Sequence, residues 1–392
     1  MQKASGAVKA PNPFNPGSPV DPTDFIGRSR ELEGFRQKLL QTANGSLASM
    51  AVAGGYGVGK TSFLHKCKAI AEEQKALTIY FSLNEIDSLD KETLARVLIE
   101  RLKEKVREEV ILERLSGSAW NALKKIRLKT GVGSLEIGVS ENEDFPNLQS
   151  ALKRAWSALK NNKTAVVVFL IDEARALEKN RAELILYLRS VLEQLQVDRV
   201  PVMIVPAGNL SAVVSGTGFS PIVRTFPPSA LENFSESESS AFINRKLSSA
   251  GVAIKEEALN EVYEVTEGHP FVLSAYMNSA YSKLQAGEKE LTKAHLEATN
   301  VEFVKVMLAN FFSRFYDQTS KISNKILLTI AESDKGEASL SDLSSKLKKE
   351  SNELSPHLGK LVQEGAIVRV ERGKYRLFHH LLGEYILEKP SF

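Results

Sequence analysis

Short, mostly apolar runs alternate with stretches whose apolar residues recur at helical spacing from Leu47 to Phe226. Leu47–Ala53 predicts a buried strand that opens onto a glycine-rich stretch, and Thr61–Gln74 predicts the helix after it. Ala76–Leu83 predicts a second strand and Lys91–Glu109 a second helix. Thr164–Ile171, rich in β-branched residues, predicts a third strand. Arg181–Gln196 follows as a helix with Leu184, Leu188, Val191, Leu192 and Leu195 as its apolar positions. Val200–Pro206 predicts a fourth strand and Ile222–Phe226 a short fifth. Strands apolar at every position need cover on both faces, and intervening helices supply it. The expected class is therefore α/β, a three-layer parallel sheet.

The pattern changes after that. Ser235-Glu236-Ser237-Glu238 reads as a helix start, with carboxylates near the positive end of the helix dipole, and helices are expected to about Phe315. Beyond residue 319, helices are predicted at Ile322–Glu332 and Leu340–Lys349, then one opened by Ser355 as cap with Pro356 at its first position. Ala366–Val370 and Tyr375–Phe378 flank a turn at Arg372-Gly373-Lys374, which predicts a β-hairpin. Three helices and a hairpin make a winged-helix arrangement. A second hairpin is expected at about 128–142, inside an insertion at 102–145, where Gly131 and Gly133 precede the alternating Leu135–Val139. At the other end, Pro11, Pro13, Pro16, Pro19 and Pro22 predict a flexible, extended arm over residues 1–24. The expected division is an arm at 1–24, a nucleotide domain at 25–230, a helical lid at 231–318 and a winged helix at 319–392.

Composition adds few constraints. The 392 residues suggest two or three domains, and 43% hydrophobic with 25% charged residues is ordinary for a soluble protein. A net charge of +3, from 51 basic and 48 acidic side chains, neither demands nor excludes a nucleic-acid partner. Cys67 stands alone, which excludes an intrachain disulfide and a cysteine metal cluster. The longest apolar run, Ala165–Ile171, is far too short to span a bilayer, and no signal-peptide pattern opens the chain, so a cytoplasmic protein without membrane contact is expected.

The strongest chemical signal is Gly54-Gly55-Tyr56-Gly57-Val58-Gly59-Lys60-Thr61. Glycines let the backbone N–H groups wrap around phosphate oxygens, Lys60 adds a charge at the β- and γ-phosphates, and Thr61 offers a hydroxyl to magnesium. The following helix points its positive end at the same anion. The third strand ends in Asp172-Glu173. At the C-terminal edge of the sheet Asp172 would hold Mg2+ through water and Glu173 would polarise the attacking water; the alternative is a pair of helix-capping acids. The fourth strand leads to Asn209, read as a group that holds the attacking water or touches the γ-phosphate, or else as a turn residue.

Together these residues resemble AAA+-type P-loop ATPases, in the clade of origin-recognition ATPases and STAND signalling ATPases. Phe25-Ile26-Gly27-Arg28-Ser29-Arg30-Glu31-Leu32 is similar to the motif that precedes the phosphate loop in that family, Gly54–Thr61 to Walker A, Val168–Glu173 to Walker B and Asn209 to sensor 1. The resemblance implies an adenine pocket lined by Phe25, Ile26, Gly27 and Arg28, and ATP phosphates held by Gly54, Gly55, Gly57, Val58, Gly59, Lys60, Thr61 and Ser62. It implies Mg2+ at Thr61 and Asp172, and catalytic roles for Lys60, Glu173, Asn209 and Arg224, the last resembling a finger arginine that acts across subunits. Gly268-His269-Pro270 resembles the Gly-x-Pro turn of STAND lids, placing His269 and Pro270 near the nucleotide, although a histidine before proline also has a purely structural reading. The sensor 2 arginine of origin-recognition ATPases has no match in Glu267–Leu273, which favours a STAND-like switch.

The expected function is therefore an ATP-binding, ATP-hydrolysing regulatory switch, slow in isolation, that self-associates or engages a protein partner. Two alternatives stay open: a DNA-binding ATPase of the initiator or transposition-regulator kind, and a non-hydrolysing scaffold. Candidate contacts to double-stranded DNA are Lys360 on the third helix of the winged helix and Arg369, Arg372, Lys374 and Arg376 on the wing; the plain alternative is a solvated hairpin.

Overall fold

A computed structural model describes residues 10–83, 89–108, 121, 147–160, 164–174, 183–208, 221–302 and 309–389. The hairpin expected at 128–142, the 109–120 and 122–145 parts of the insertion, and Asn209 lie outside the described residues. The chain divides into two units: Arg28–Gly54 with Lys60–Leu231, and Met1–Gly27 with Gly55–Gly59 and Glu232–Phe392.

The first unit is built on a five-stranded sheet in the order β2-β3-β4-β1-β5. Its strands are β1 (Ala51–Ala53), β2 (Ala76–Ser82), β3 (Val166–Asp172), β4 (Val202–Gly208) and β5 (Pro228–Ala230), and every pairing is parallel. All positions of β3 and β4 are buried, Asp172 at the end of β3 included, as their largely apolar sequence requires. The helices are α1 (Ser29–Ala43), α2 (Lys60–Glu73), α3 (Lys91–Glu108), α4 (Leu148–Leu159), α5 (Glu183–Val197) and α6 (Pro221–Thr225). In α5 the buried residues are Leu184, Ile185, Leu188, Val191, Leu192 and Leu195, the apolar stripe visible in the sequence.

One expectation fails here. Ile222–Phe226 is not a strand: Pro221–Thr225 is the short helix α6, and the fifth strand is the following Pro228–Ala230. Proline suits the first position of a helix, where its fixed φ helps and its missing N–H costs nothing. Strand β5 tolerates Pro228 because it is an edge strand, bonded on one side only to β1.

The second unit has one continuous apolar interior running from Phe14 through Tyr276, Phe312 and Leu358 to Ile386, so the segments expected as lid and C-terminal domain share a core. Its helices are α7 (Glu236–Ser249), α8 (Glu256–Thr266), α9 (Pro270–Lys283), α10 (Lys293–Glu302), α11 (Ala309–Tyr316), α12 (Lys321–Ala331), α13 (Leu340–Leu347), α14 (Ser351–Glu364) and α15 (His380–Leu387). Helix α7 opens where the helix start was expected, with a capping box formed by Ser235 and Glu238. Helix α14 begins a turn earlier than expected: a Glu350–Glu353 capping box starts it, and Pro356 sits inside. Near the start of a helix a proline forfeits a single backbone bond, so the capping box decides the boundary. Strands β6 (Ala253–Ile254) and β7 (Glu290–Leu291) pair with each other. The hairpin of β9 (Ile367–Glu371) and β10 (Lys374–Leu377) is antiparallel, and β8 (Glu337–Ser339), not anticipated, pairs with β10.

The proline-rich arm is anchored rather than flexible over its described part. Phe14 is 2% exposed and meets Phe242 edge-on at 6.1 Å. The Asn12 side chain donates to the Asn278 carbonyl (2.9 Å), Asn278 donates back to the Phe14 carbonyl (2.6 Å), and the Tyr281 hydroxyl donates to the Ala10 carbonyl (3.0 Å). Further along, Asp24 accepts from Lys246 at 2.8 Å.

Among the described residues no helix is long and apolar enough to cross a membrane.

Candidate functional site

In the first unit, β1 ends at Ala53 and α2 begins at Lys60, so the glycine-rich stretch joins the end of a strand to the start of a helix. Lys60 Nζ donates to the Gly54 carbonyl at 3.1 Å, which folds the side chain back over its own loop. Thr61, in the first turn of α2, donates its hydroxyl to Asp172 Oδ2 at 2.8 Å. These residues, 111 apart in sequence, meet at 2.8 Å: Asp172 ends β3, and Thr61 lies in the first turn of the helix that follows β1.

Asp172 is 4% exposed yet well supplied with donors. Its Oδ1 accepts from the Glu173 N–H at 2.8 Å, and its Oδ2 also accepts from the Tyr80 hydroxyl at 2.9 Å. Tyr80 is a site residue the sequence reading missed: it lies within β2, beside Leu170 of β3, and only the sheet register brings it to the carboxylate. Burial first, then the Asp172 charge and its hydrogen bond, push the Tyr80 hydroxyl well above the ordinary phenol range, so it stays a proton donor. Glu173 has φ 48°, in the left-handed region, which for a non-glycine residue costs on the order of 1 kcal/mol. The next residue is fixed by Ala174 N–H donating to the Ala207 carbonyl at 2.8 Å. The left-handed conformation therefore falls at the first residue after β3, where the chain leaves the sheet.

Thr61, Tyr80 and Asp172 form an all-oxygen set, the donor chemistry that hard divalent cations take. These residues fit magnesium, with the Thr61 hydroxyl and the Asp172 carboxylate as its holders. Bound there, the ion would supply positive charge at the end of the glycine-rich loop.

The tip of the phosphate loop, Gly55–Gly59, groups with the second unit. Within that unit the Tyr56 carbonyl lies 3.1 Å from His269 Nε2, and the Gly57 carbonyl accepts the Phe271 N–H at 3.1 Å. Gly57 has φ 81°, and a Cβ there would lie 2.7 Å from His269 Cε1 and 2.9 Å from Phe271 Cβ. Only glycine satisfies both the backbone and the space. Tyr56 also carries the Arg314 guanidinium 3.6 Å above its ring and packs against Phe311 at 5.4 Å.

His269 is 2% exposed and its Nδ1 accepts the Val272 N–H at 3.4 Å, capping α9, whose first residue is Pro270. His379 repeats the arrangement: its Nδ1 accepts the Leu381 N–H at 3.2 Å, and its Nε2 lies 2.9 Å from the Thr266 carbonyl. The two imidazoles stand 6.0 Å apart at 89°. Glu267, His379 and His380 bring ligand-type atoms within 4.8 Å of one another. That is not a metal centre, because His379 has both nitrogens engaged by the backbone.

Burial pushes the His379 imidazole down to about 4, the neighbouring Glu267 carboxylate opposing it. The folded state then binds fewer protons than the unfolded chain between about pH 4 and 6.5, so stability is present above 6.5 and falls as pH drops toward 4. The loss on going from pH 7 to pH 4.5 is expected to be about 2 kcal/mol from this group. Thermal melts at both pH values check it: His379→Asn, which keeps the capping acceptor but cannot protonate, is expected to lose that part of the acid sensitivity.

The other expected site residues are placed as follows. Gly27, in the second unit, has φ 74°, and a Cβ would meet Glu238 Oε1 at 2.5 Å. Arg28, in the first unit, is buried, has φ 60° and precedes α1 as its N-cap. Arg224 is exposed on α6 rather than following a strand. Lys360 lies 3.7 Å from Glu364, while Lys374 and Arg376 lie 2.8 and 3.9 Å from the same Glu337 carboxylate. Arg369 donates to the Tyr375 hydroxyl at 3.3 Å, and Arg372 is exposed. Three of the five proposed DNA-contacting cations thus already have a carboxylate neighbour.

Residues 24–205 match the family model of the AAA ATPase domain, and residues 309–386 match one described as Domain of unknown function (DUF8462). No curated protein matches the chain. Among solved structures it is similar to the Walker-type ATPase PABY2304 of Pyrococcus abyssi, at 15% identity over 96% of this chain and 99% of that one, with a TM-score of 0.63. It is also similar to the Thermotoga maritima RuvB Holliday junction branch migration motor, at 18% identity over 95% and 99% of the two chains, with a TM-score of 0.48. The Aeropyrum pernix ORC1 protein in complex with DNA is similar at 15% identity over 93% and 92%, with a TM-score of 0.44. The five-stranded parallel sheet with its helices is the P-loop ATPase fold.

Proposed function

We propose that this chain, which carries a match to the AAA ATPase domain, binds Mg-ATP at Gly54–Ser62 and hydrolyses it as a regulatory switch. One observation carries the reading: the Thr61 hydroxyl and the Asp172 carboxylate meet at 2.8 Å beside Lys60 at the start of α2. A lysine, a hydroxyl and a carboxylate brought together at the end of a glycine-rich loop suit a polyphosphate with a divalent cation, and little else. Lys60 would neutralise the β- and γ-phosphates, and Glu173, next to Asp172, would orient the attacking water. The Asn209 and Arg224 roles, and the adenine contacts of Phe25, Ile26, Gly27 and Arg28, belong to the same proposal. So do the C-terminal winged helix and self-association.

Regulation is supported by the loop tip. The carbonyls of Tyr56 and Gly57 are bonded by the His269–Phe271 turn, so a phosphate group that reshapes the tip is felt by that turn. Contacts made only to the triphosphate then favour one arrangement, and hydrolysis releases it.

Phosphate release measured on wild type and Glu173→Gln tests the hydrolytic part. Turnover is expected to fall about a hundredfold in the variant, the usual contribution of a positioned base, with Mg-ADP affinity unchanged. Equal rates in the two proteins would favour the non-hydrolysing scaffold. Light scattering with ADP and with a non-hydrolysable ATP analogue tests the switch; a mass independent of nucleotide would remove self-association from it. Anisotropy of a labelled duplex at low salt tests the DNA-binding alternative.

A further inference from the structure

We infer that His269 is a positioning residue for the phosphate loop, aiming the N–H groups of Gly57 and Val58 by holding the carbonyls of the peptides to which they belong. The inference rests on the nucleotide reading above and adds to it a role for a side chain that does not itself touch the phosphates.

In a trans peptide the C=O and the N–H point in opposite directions. His269 Nε2 lies 3.1 Å from the Tyr56 oxygen, so the N–H of Gly57, across the same peptide, points away from the imidazole. The Phe271 N–H holds the Gly57 oxygen at 3.1 Å, which turns the N–H of Val58 away from the turn in the same manner. Two consecutive peptide planes are thereby oriented from outside. Successive N–H groups turned to one side are what a loop needs to bind an anion.

The imidazole has one protonation pattern that satisfies its neighbours. Nδ1 must accept from Val272 N–H and Nε2 must donate to the Tyr56 carbonyl, which makes His269 the neutral Nε2–H tautomer. The ring is kept in place by Phe378 at 5.6 Å, Phe311 at 6.1 Å and His379 at 6.0 Å. The turn itself is held by His379 on the Thr266 carbonyl, by His380 Nδ1 at 2.7 Å from Glu267, and by Phe271 stacked on Phe311 at 4.3 Å. A donor supported on this many sides moves little, and a positioning group requires that. Gly57 has no room for a side chain because the imidazole and Phe271 occupy it, so loop and turn are fitted to each other.

The two nitrogens of His269 can be separated by substitution. Asparagine places an acceptor near Nδ1 and keeps the cap, but cannot reach Tyr56. Glutamine places a donor near Nε2 and keeps the loop contact, but caps poorly. Both variants are compared with wild type for affinity toward a fluorescent Mg-ADP analogue and, without nucleotide, for hydrogen exchange over peptides spanning residues 54–62. His269→Asn is expected to weaken nucleotide binding roughly fivefold to tenfold and to speed exchange at the loop tip, the effect of losing one buried hydrogen bond. His269→Gln is expected to stay within about threefold of wild type in both readouts. A plain capping role gives the reverse order, with Gln the weaker variant, and overturns the inference. So does a His269→Asn protein that matches wild type in both measurements. If wild type takes up no nucleotide while the exchange difference persists, the nucleotide reading falls and the orientation of the loop by His269 stands.

Discussion

Lys60→Ala is expected to lower the affinity for Mg-ATP and Mg-ADP by about a thousandfold, the loss that follows when one partner of a desolvated, hydrogen-bonded charge pair is removed. The ammonium already lies within the loop, 3.1 Å from the Gly54 carbonyl, at the first residue of α2. Its side chain therefore needs no large rearrangement to meet an incoming phosphate, and little of its interaction is spent on ordering it. The first turn of α2 adds partial positive charge but no full one, so the helix end does not replace the missing cation. Calorimetric titration of both proteins measures the effect, with circular dichroism to establish that the variant is folded. A variant that binds within about fivefold of wild type would remove Lys60, and the phosphate loop with it, from the function proposed above.

Phe14→Ala is expected to destabilise the second unit by about 3–5 kcal/mol, the range for emptying a buried aromatic site. The ring is 2% exposed and packs on Phe242, which in turn lies 6.1 Å from Phe234. The arm that carries it is bound to α9 through Asn12, Asn278 and Tyr281, so collapse of the site would also loosen those bonds. Urea denaturation followed by a probe in the second unit reads the change as a shift in midpoint. A shift worth less than about 1 kcal/mol would mean that the arm merely rests on a core that is complete without it.

Phe14 also marks a limit of the sequence. A lone phenylalanine among prolines has no periodicity, and its burial depends on helices that begin at Glu236 and Pro270. The parallel sheet was legible because β2, β3 and β4 are apolar almost throughout, and α5 keeps a clear stripe. Strand β5 was not, because Pro-Ser-Ala has none of the β-branched residues that mark a strand; its place is decided by pairing with β1. The start of α14 was misplaced because a proline at a helix start is a strong local cue, and the glutamate capping box upstream outweighed it. At the site, Lys60, Thr61 and Asp172 were visible because one motif names each of them. Tyr80 and the grip of His269 on Tyr56 were not: the first depends on strand register, and the second joins residues 213 apart. Asp172 and Glu173 also had a reading as simple helix caps, and the Thr61–Asp172 contact is what argues for the chemical one.

The position of β1 bears on how the protein is made. This first strand lies between β4 and β5, whose residues 202–208 and 228–230 leave the ribosome long after it. At ordinary translation speeds the nascent Ala51–Ala53 segment waits on the order of ten seconds for either neighbour. Throughout that interval the glycine-rich loop hangs from an unpaired strand. Under the function proposed above, nucleotide capture would thus be a late event in biosynthesis, possible only after residue 208 emerges.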